Sequence, residues 1–176
     1  MSRVSVRYAR ALFSLAGEVK KLDTIAVDLA ELRKLSESNK DFSAFLVNPL
    51  LSSSKQAEVI RELFSGKVDI LTYNFLELLC KKKRMNQLSE ILDAFDNLLL
   101  KKRNQVYAEV TSAAVLDDQQ LDAIKANLES MTDKSVILNT KKDSALIGGF
   151  KVLIDGVIID NSVQYQLFKL KEKLVS

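Results

Sequence analysis

The chain has 176 residues, with 26 Lys plus Arg against 23 Asp plus Glu, and contains neither histidine nor tryptophan. A single cysteine, Cys80, together with the lack of histidine excludes an internal disulfide, a Cys/His zinc site and a histidine-activated nucleophile. At 47% apolar and 28% charged the composition is that of a folded protein, one large domain or two small ones, and no window approaches the roughly 18 apolar residues a membrane span requires.

Charge is unevenly spread. Residues 1–104 carry a net +5 and residues 105–176 a net −2, which suggests two modules with different partners. Arg3, Arg7 and Arg10 precede the first acid, Glu18, as they would in a mitochondrial presequence. The apolar pattern continues unbroken to Val19, however, so a helix of the folded domain is expected there.

Apolar residues recur at helical spacing over 4–19, 22–37, 55–64, 68–80 and 86–103, with a short piece near 40–46. Asn48-Pro49 is the sharpest break, because the residue before proline is pushed out of helical geometry. Ser52, Ser53 and Ser54 offer an N-cap to the helix that follows, and Ser65-Gly66 closes it. Asp69 suits the positive end of the next helix, and Lys81, Lys82 and Lys83 its negative end. The expectation for 1–104 is an all-α bundle of about six helices.

Beyond Asn104 the period changes. Val106, Ala108, Val110 and Ser112 alternate with Tyr107, Glu109 and Thr111, as in a strand with one dry face. Asp117 to Met131 reads as a helix with Leu121, Ile124 and Leu128 on one stripe, and Val136-Ile137-Leu138 as a second strand. Phe150–Ile154 and Val157–Ile159 flank Asp155-Gly156, a tight-hairpin signal. Val163, Leu167, Leu170 and Leu174 form a final helical stripe. Strand, helix, three strands, helix makes 105–176 a small α+β domain, and the whole chain α+β in class.

Reactive chemistry is hard to find. The only glycine pair, Gly148-Gly149, precedes a strand rather than a helix, so a bend or bulge is expected instead of a phosphate cradle. Asp117-Asp118 reads as a helix cap, and Cys80 as a small core residue. No catalytic, cofactor-binding or metal-ligating set is identified. An enzyme that works with carboxylates alone has no paired acids to support it.

The first helix is unusually greasy. On a wheel with Tyr8 taken as zero, nine apolar residues from Val4 to Val19 span roughly 220°, about twice the stripe that faces an ordinary core. One reading is a helix in the middle of the bundle. The other is a helix with one flank in the core and one exposed to a partner, in which case the Tyr8–Ala11 edge is the exposed one, since tyrosine keeps a polar handle. The segment 68–80 has a similar excess: Val68, Leu71, Phe75, Leu78 and Leu79 on one arc, with Ile70, Tyr73 and Cys80 elsewhere. Together they predict an apolar groove.

Several segments in this order resemble one family. They are Arg7-Tyr8-Ala9-Arg10-Ala11-Leu12; Phe45-Leu46-Val47-Asn48-Pro49 with Lys55; Asn74-Phe75-Leu76-Glu77-Leu78-Leu79 with Arg84, Leu88 and Ile91; and Ala108-Glu109-Val110-Thr111-Ser112-Ala113. The most specific run is Asp143-Ser144-Ala145-Leu146-Ile147-Gly148-Gly149-Phe150, continuing at Val157-Ile158-Ile159-Asp160-Asn161-Ser162-Val163. The ordered set resembles the delta subunit of bacterial F-type ATP synthases, equivalent to the mitochondrial oligomycin-sensitivity-conferring protein. It departs from that pattern at Val115, where proline is frequent, and at Gln164, where a basic residue is.

The resemblance implies a non-catalytic stator component, present once in a hetero-oligomeric complex at the cytoplasmic face of the bacterial membrane. Residues 1–104 would bind the amphipathic N-terminal helix of an alpha subunit through Val4, Tyr8, Ala11 and Leu15 of the first helix and Leu71, Phe75 and Leu78 of the fifth. Residues 105–176 would hold the C-terminal end of the b-subunit stalk, with Ile147, Phe150, Val157 and Ile159 as candidate contacts. No cofactor and no nucleic acid enter this reading. The alternative is a nucleic-acid adaptor built on Lys81-Lys82-Lys83-Arg84 and Lys101-Lys102-Arg103, although no aromatic platform interleaves with either run.

Overall fold

The computed structural model describes residues 2–48 and 51–175, so Pro49 of the expected break lies outside the described residues. The chain divides into two compact units between Leu99 and Leu100, somewhat before the change of sequence period at Asn104.

The first unit is helical. It comprises α1 (Arg3–Glu18), α2 (Leu22–Ser38), α3 (Lys40–Val47), α4 (Ser53–Phe64), α5 (Ile70–Lys81), a 3-10 turn (Met85–Gln87) and α6 (Leu88–Lys102), which crosses the division. The caps follow side-chain chemistry. Ser2, Asn39, Ser52 and Asp69 each accept a backbone N–H one or two residues inside the helix they open. Asn48 is extended, as a residue before proline must be.

Two ends are closed less predictably. Lys20 and Lys83 occupy the left-handed region, while Lys21 N–H reaches Ala16 O and Arg84 N–H reaches Leu79 O. These are Schellman-type closures with lysine where glycine is usual. The segment expected to begin a helix at 86 spends its first turn as a 3-10 element that buries Met85.

One core unites the bundle: Ala9, Leu12 and Ala16 of α1 meet Ile25, Leu29 and Leu32 of α2, Leu76 and Leu79 of α5, and Ile91 and Phe95 of α6. Phe13 and Phe95 meet edge to face at 5.5 Å, and Phe42 and Phe64 at 6.0 Å. Polar ties fix the helices that matter for the site. Asp28 on α2, buried, accepts from the Thr72 hydroxyl at 2.7 Å and from Asp69 N–H at 2.9 Å, anchoring the start of α5. Arg33 spans to Asp93 at 2.7 Å and Asp96 at 2.9 Å, joining α2 to α6.

The second unit contains β1 (Gln105–Ser112), α7 (Asp118–Thr132), β2 (Ser135–Lys142), β3 (Phe150–Ile154), β4 (Val157–Asp160) and α8 (Val163–Val175). The sheet order is β2-β1-β3-β4; β1 and β2 are parallel, joined through α7, and the other pairs are antiparallel. β1 has the expected alternation, with Val106, Ala108, Val110 and Ser112 buried. Val106, Ala108 and Val110 pack with Ile124 and Leu128 of α7, Val136, Val152 and Ile154 in a separate core.

β2 is longer than the apolar triplet 136–138 suggests, because pairing with β1 carries its polar tail to Lys142. Asp117 caps α7 in a reciprocal box with Gln120, which is the capping role expected of it. Asp155 and Gly156 both have positive φ, as the two-residue hairpin turn demands. Gly149 has φ +79°, and a Cβ there would lie 2.4 Å from Asn161 O, so the glycine pair serves a tight backbone crossing at the mouth of β3.

Candidate functional site

α1 buries only a narrow stripe: Ser5, Ala9, Leu12 and Ala16. Ser5 and Ser2 hold its start to α6. Ser2 N–H donates to Glu90 Oε2 at 2.7 Å and the Ser5 hydroxyl to the same oxygen at 2.9 Å, which holds the Glu90 carboxyl below the usual glutamate range. Flanking the stripe on one side, Val6 and Phe13 lean on the core, and Phe13 packs with Phe95. On the other side Ala11 and Leu15 face outward, Leu15 being 43% exposed. The exposed edge is the one carrying Tyr8 and Ala11.

α5 supplies the opposite wall. Leu76, Leu79 and Cys80 point into the bundle, and burial pushes the Cys80 thiol up to about 11, as fits a packed residue. Leu71 is half-buried and Leu78 is 40% exposed. Between the walls lies an open groove of about 390 Å³, lined by Tyr8, Ala11, Leu12 and Leu15 from one helix and Leu71, Phe75 and Leu78 from the other, with Arg7 and Asn74 at its margins. The Tyr8 and Phe75 rings meet edge to face at 6.4 Å across it.

Direction follows from two contacts. Lys21, just past the C-terminal end of α1, pairs with Asp69, the N-cap of α5, at 2.7 Å, whereas Tyr8, near the start of α1, meets Phe75, further into α5. The two walls are therefore antiparallel.

Of the seven residues expected at this site, six line the groove; Val4 is half-buried one turn before Tyr8 and is not among the lining. Phe75 needs a distinction. It is only 7% exposed and belongs to the core, so it forms the floor of the groove rather than a free wall. An acidic residue there would disturb the bundle as well as any guest. Leu12, buried in the bundle core, also borders the groove.

The four candidate contacts of the second unit separate into two kinds. Ile147 and Val157 are exposed, at 76% and 61%, while Phe150 and Ile159 pack partly against the sheet core. Ile147 and Phe150 border a broad concavity of about 720 Å³ between the start of α7 and the loops that follow β1 and precede β3. Sequence reasoning missed the larger apolar surface. In α8 the whole predicted stripe, Val163, Leu167, Leu170 and Leu174, is exposed, and so are Tyr165 and Phe168. On the sheet face opposite α7, Leu153 and Ile158 are paired neighbours and Tyr107 lies nearby on β1, all exposed. Period alone cannot separate a stripe that is buried from one that is merely apolar.

Among the described residues no cluster of acids and cysteine suited to a metal occurs, and no helix is long and apolar enough to cross a membrane. The two basic runs stand at helix ends: Lys81 to Arg84 close α5, and Lys101 to Arg103 close α6. Both are placed to complement the helix dipole.

A family model described as ATP synthase delta (OSCP) subunit matches residues 4–174. An ATP synthase subunit delta of Chlorobium phaeobacteroides is 36% identical over 97% of this chain and 94% of its own. That of Clostridium beijerinckii is 31% identical over 96% and 94%. Among solved structures, a chain of the Toxoplasma gondii mitochondrial ATP synthase hexamer is similar in fold, with TM-score 0.79 at 23% identity over 99% of both chains.

Proposed function

The chain belongs to the ATP synthase delta (OSCP) subunit family, and from that premise we propose that its α1–α5 groove clasps the amphipathic N-terminal helix of an alpha subunit, while its second unit takes the C-terminal end of the b-subunit stalk. It is a structural subunit of an F-type ATP synthase, not an enzyme. As part of the peripheral stalk it keeps the catalytic head from turning with the rotor, so that rotation is spent on ATP synthesis. We place it at the cytoplasmic face of a bacterial membrane, one copy per complex.

The observation that carries the first grip is the groove itself: Ala11, Leu15, Leu71 and Leu78 stand partly uncovered around the Tyr8 and Phe75 rings. Burying about five large apolar side chains, at ~1.5–3 kcal/mol each, amounts to roughly 8–15 kcal/mol gross. Association costs on the order of 4–15 kcal/mol, so one such grip ranges from moderate to tight. A second grip through the other unit raises the effective concentration at the first, and avidity secures the join. A mainly apolar grip also tolerates salt, which suits a part that bears torque.

For the stalk contact, the supporting features are the uncovered α8 stripe and the concavity beside Ile147. Phe150 and Ile159, already partly spent on the core, would contribute edges rather than centres of that contact. Calorimetry of the full chain with a synthetic alpha N-terminal helix tests the first grip, and co-sedimentation with a soluble b C-terminal fragment tests the second. Loss of either interaction at high protein concentration removes the corresponding half of the proposal.

A further inference from the structure

We propose that the α1–α5 groove sets the direction of its guest helix by charge: the guest carries acids in its first turn and bases in its last, and lies parallel to α1 with its acidic end over Arg7. This rests on the reading of the groove as a helix-binding site and specifies the partner that fits it.

Both walls are polarised in the same sense. Taking Tyr8 as the reference direction on α1 at ~100° per residue, the lip beyond Leu15 and Ala11 is formed by Arg7 near the N-terminal end and Glu18 at the C-terminal end. Arg3 and Arg10 stand just behind Arg7. All three arginines are exposed and none makes an ion pair among the described residues. Glu18 is also exposed, and its only polar contact among the described residues is a long one, 3.5 Å, from the Ser14 hydroxyl.

The opposite wall repeats the pattern. Lys82, one turn beyond Leu78 on the same face, and Lys81 close α5, whereas Asp69 opens it and already holds Lys21. Because the walls run antiparallel, the basic end of α5 lies at the basic end of α1. Lys81 reaches Glu77 at 3.4 Å on its own helix, whereas Lys82, like the three arginines, makes no ion pair among the described residues. Glu90 of α6, which meets the start of α1, is engaged by Ser2 and Ser5.

A guest with its acids over Arg7 and Lys82 and its bases over Glu18 satisfies both ends at once; the reverse placement opposes like charges twice. Free helices are most stable with acids in the first turn and bases in the last. A guest that is a stable helix by itself therefore enters with its N-terminus at the Arg7 end. The apolar contact supplies the strength and the rim supplies the direction.

The test uses the full-length chain and two synthetic amphipathic helices with one shared apolar stripe. One has two Glu in the first turn and two Lys in the last, and its counterpart has these exchanged. Each bears an N-terminal nitroxide. For the first peptide, amide signals of 3–10 broaden. For the second, those of 18–21 broaden instead. A third peptide with Gln in place of Glu binds about threefold to tenfold more weakly at low salt, and Arg7→Gln with Lys82→Gln removes that difference. Broadening at the same end for both peptides, or at both ends for each, overturns the inference while leaving the groove intact as a binding site. If neither peptide binds, the groove reading itself fails and the charge reading falls with it.

Discussion

Leu78→Asp separates binding from folding at the groove more cleanly than any other single change. Leu78 keeps 40% of its surface exposed in the free chain, and this is the part a guest helix would cover. Complete burial of a leucine side chain contributes ~1.5–3 kcal/mol, so the portion withheld for a partner amounts to about 0.6–1.2 kcal/mol. An aspartate there loses that contribution and presents a carboxylate to an apolar surface, a further penalty of about 1–3 kcal/mol. The sum of about 2–4 kcal/mol is a roughly thirtyfold to thousandfold loss of affinity. Folding should be touched far less. The site is exposed, Lys81 and Lys82 are close in the same helix, and the cost is on the order of 1 kcal/mol from propensity and dipole. Calorimetric titration with the alpha N-terminal helix, alongside urea denaturation, measures both quantities. Unchanged affinity in a folded Leu78→Asp protein would refute the groove as the alpha-binding surface.

Phe75→Ala should instead lower stability by about 3–5 kcal/mol, because the ring is a floor residue of the core, and urea titration reads this directly. Two glycines give opposite signs by the same substitution. Gly149→Ala should destabilise the second unit by more than about 1 kcal/mol, since φ is +79° and the new Cβ meets Asn161 O. Gly17→Ala, in helix with no atom within 4 Å of the added carbon, should stabilise by about 0.5–1 kcal/mol. Thermal melts of both variants check the pair. Glu90 gives a pH prediction. Its folded pKa is lowered, so the unfolded chain binds more protons in that range and stability rises with pH. The contribution is complete above the ordinary value of 4.5 and is lost as pH falls through the lower folded value; Glu90→Gln should flatten denaturation midpoints across that window.

Much of the fold was readable because local chemistry and packing agree. Ser52, Asp69 and Asp117 all cap, and Asp155-Gly156 turns as its backbone requires. The groove was half legible. An apolar arc of roughly 220° on α1 reveals surplus surface, and the tyrosine on one edge indicates which flank is wet. What the pattern could not supply is how deeply Phe75 sits, because depth depends on α2 and α6 as much as on α5. Left-handed Lys20 and Lys83 were invisible for a related reason. Nothing in lysine asks for that conformation; the closing bonds to Ala16 and Leu79 impose it. The place of β1 inside a mixed sheet, and the length of β2, are set by long-range pairing that alternation along one strand does not encode.

α8 lacks any buried residue among those described, and this has a thermodynamic consequence. Thirteen residues are close to the length at which a helix in water barely holds. What steadies it locally is the Ser162 hydroxyl accepting Tyr165 N–H and the Lys169 ammonium 4.8 Å from the Tyr165 ring. Its amides should therefore exchange with deuterium soon after dilution, long before those of α6. Capture by a neighbour would slow that exchange, because the ordering of this tail would then be coupled to assembly.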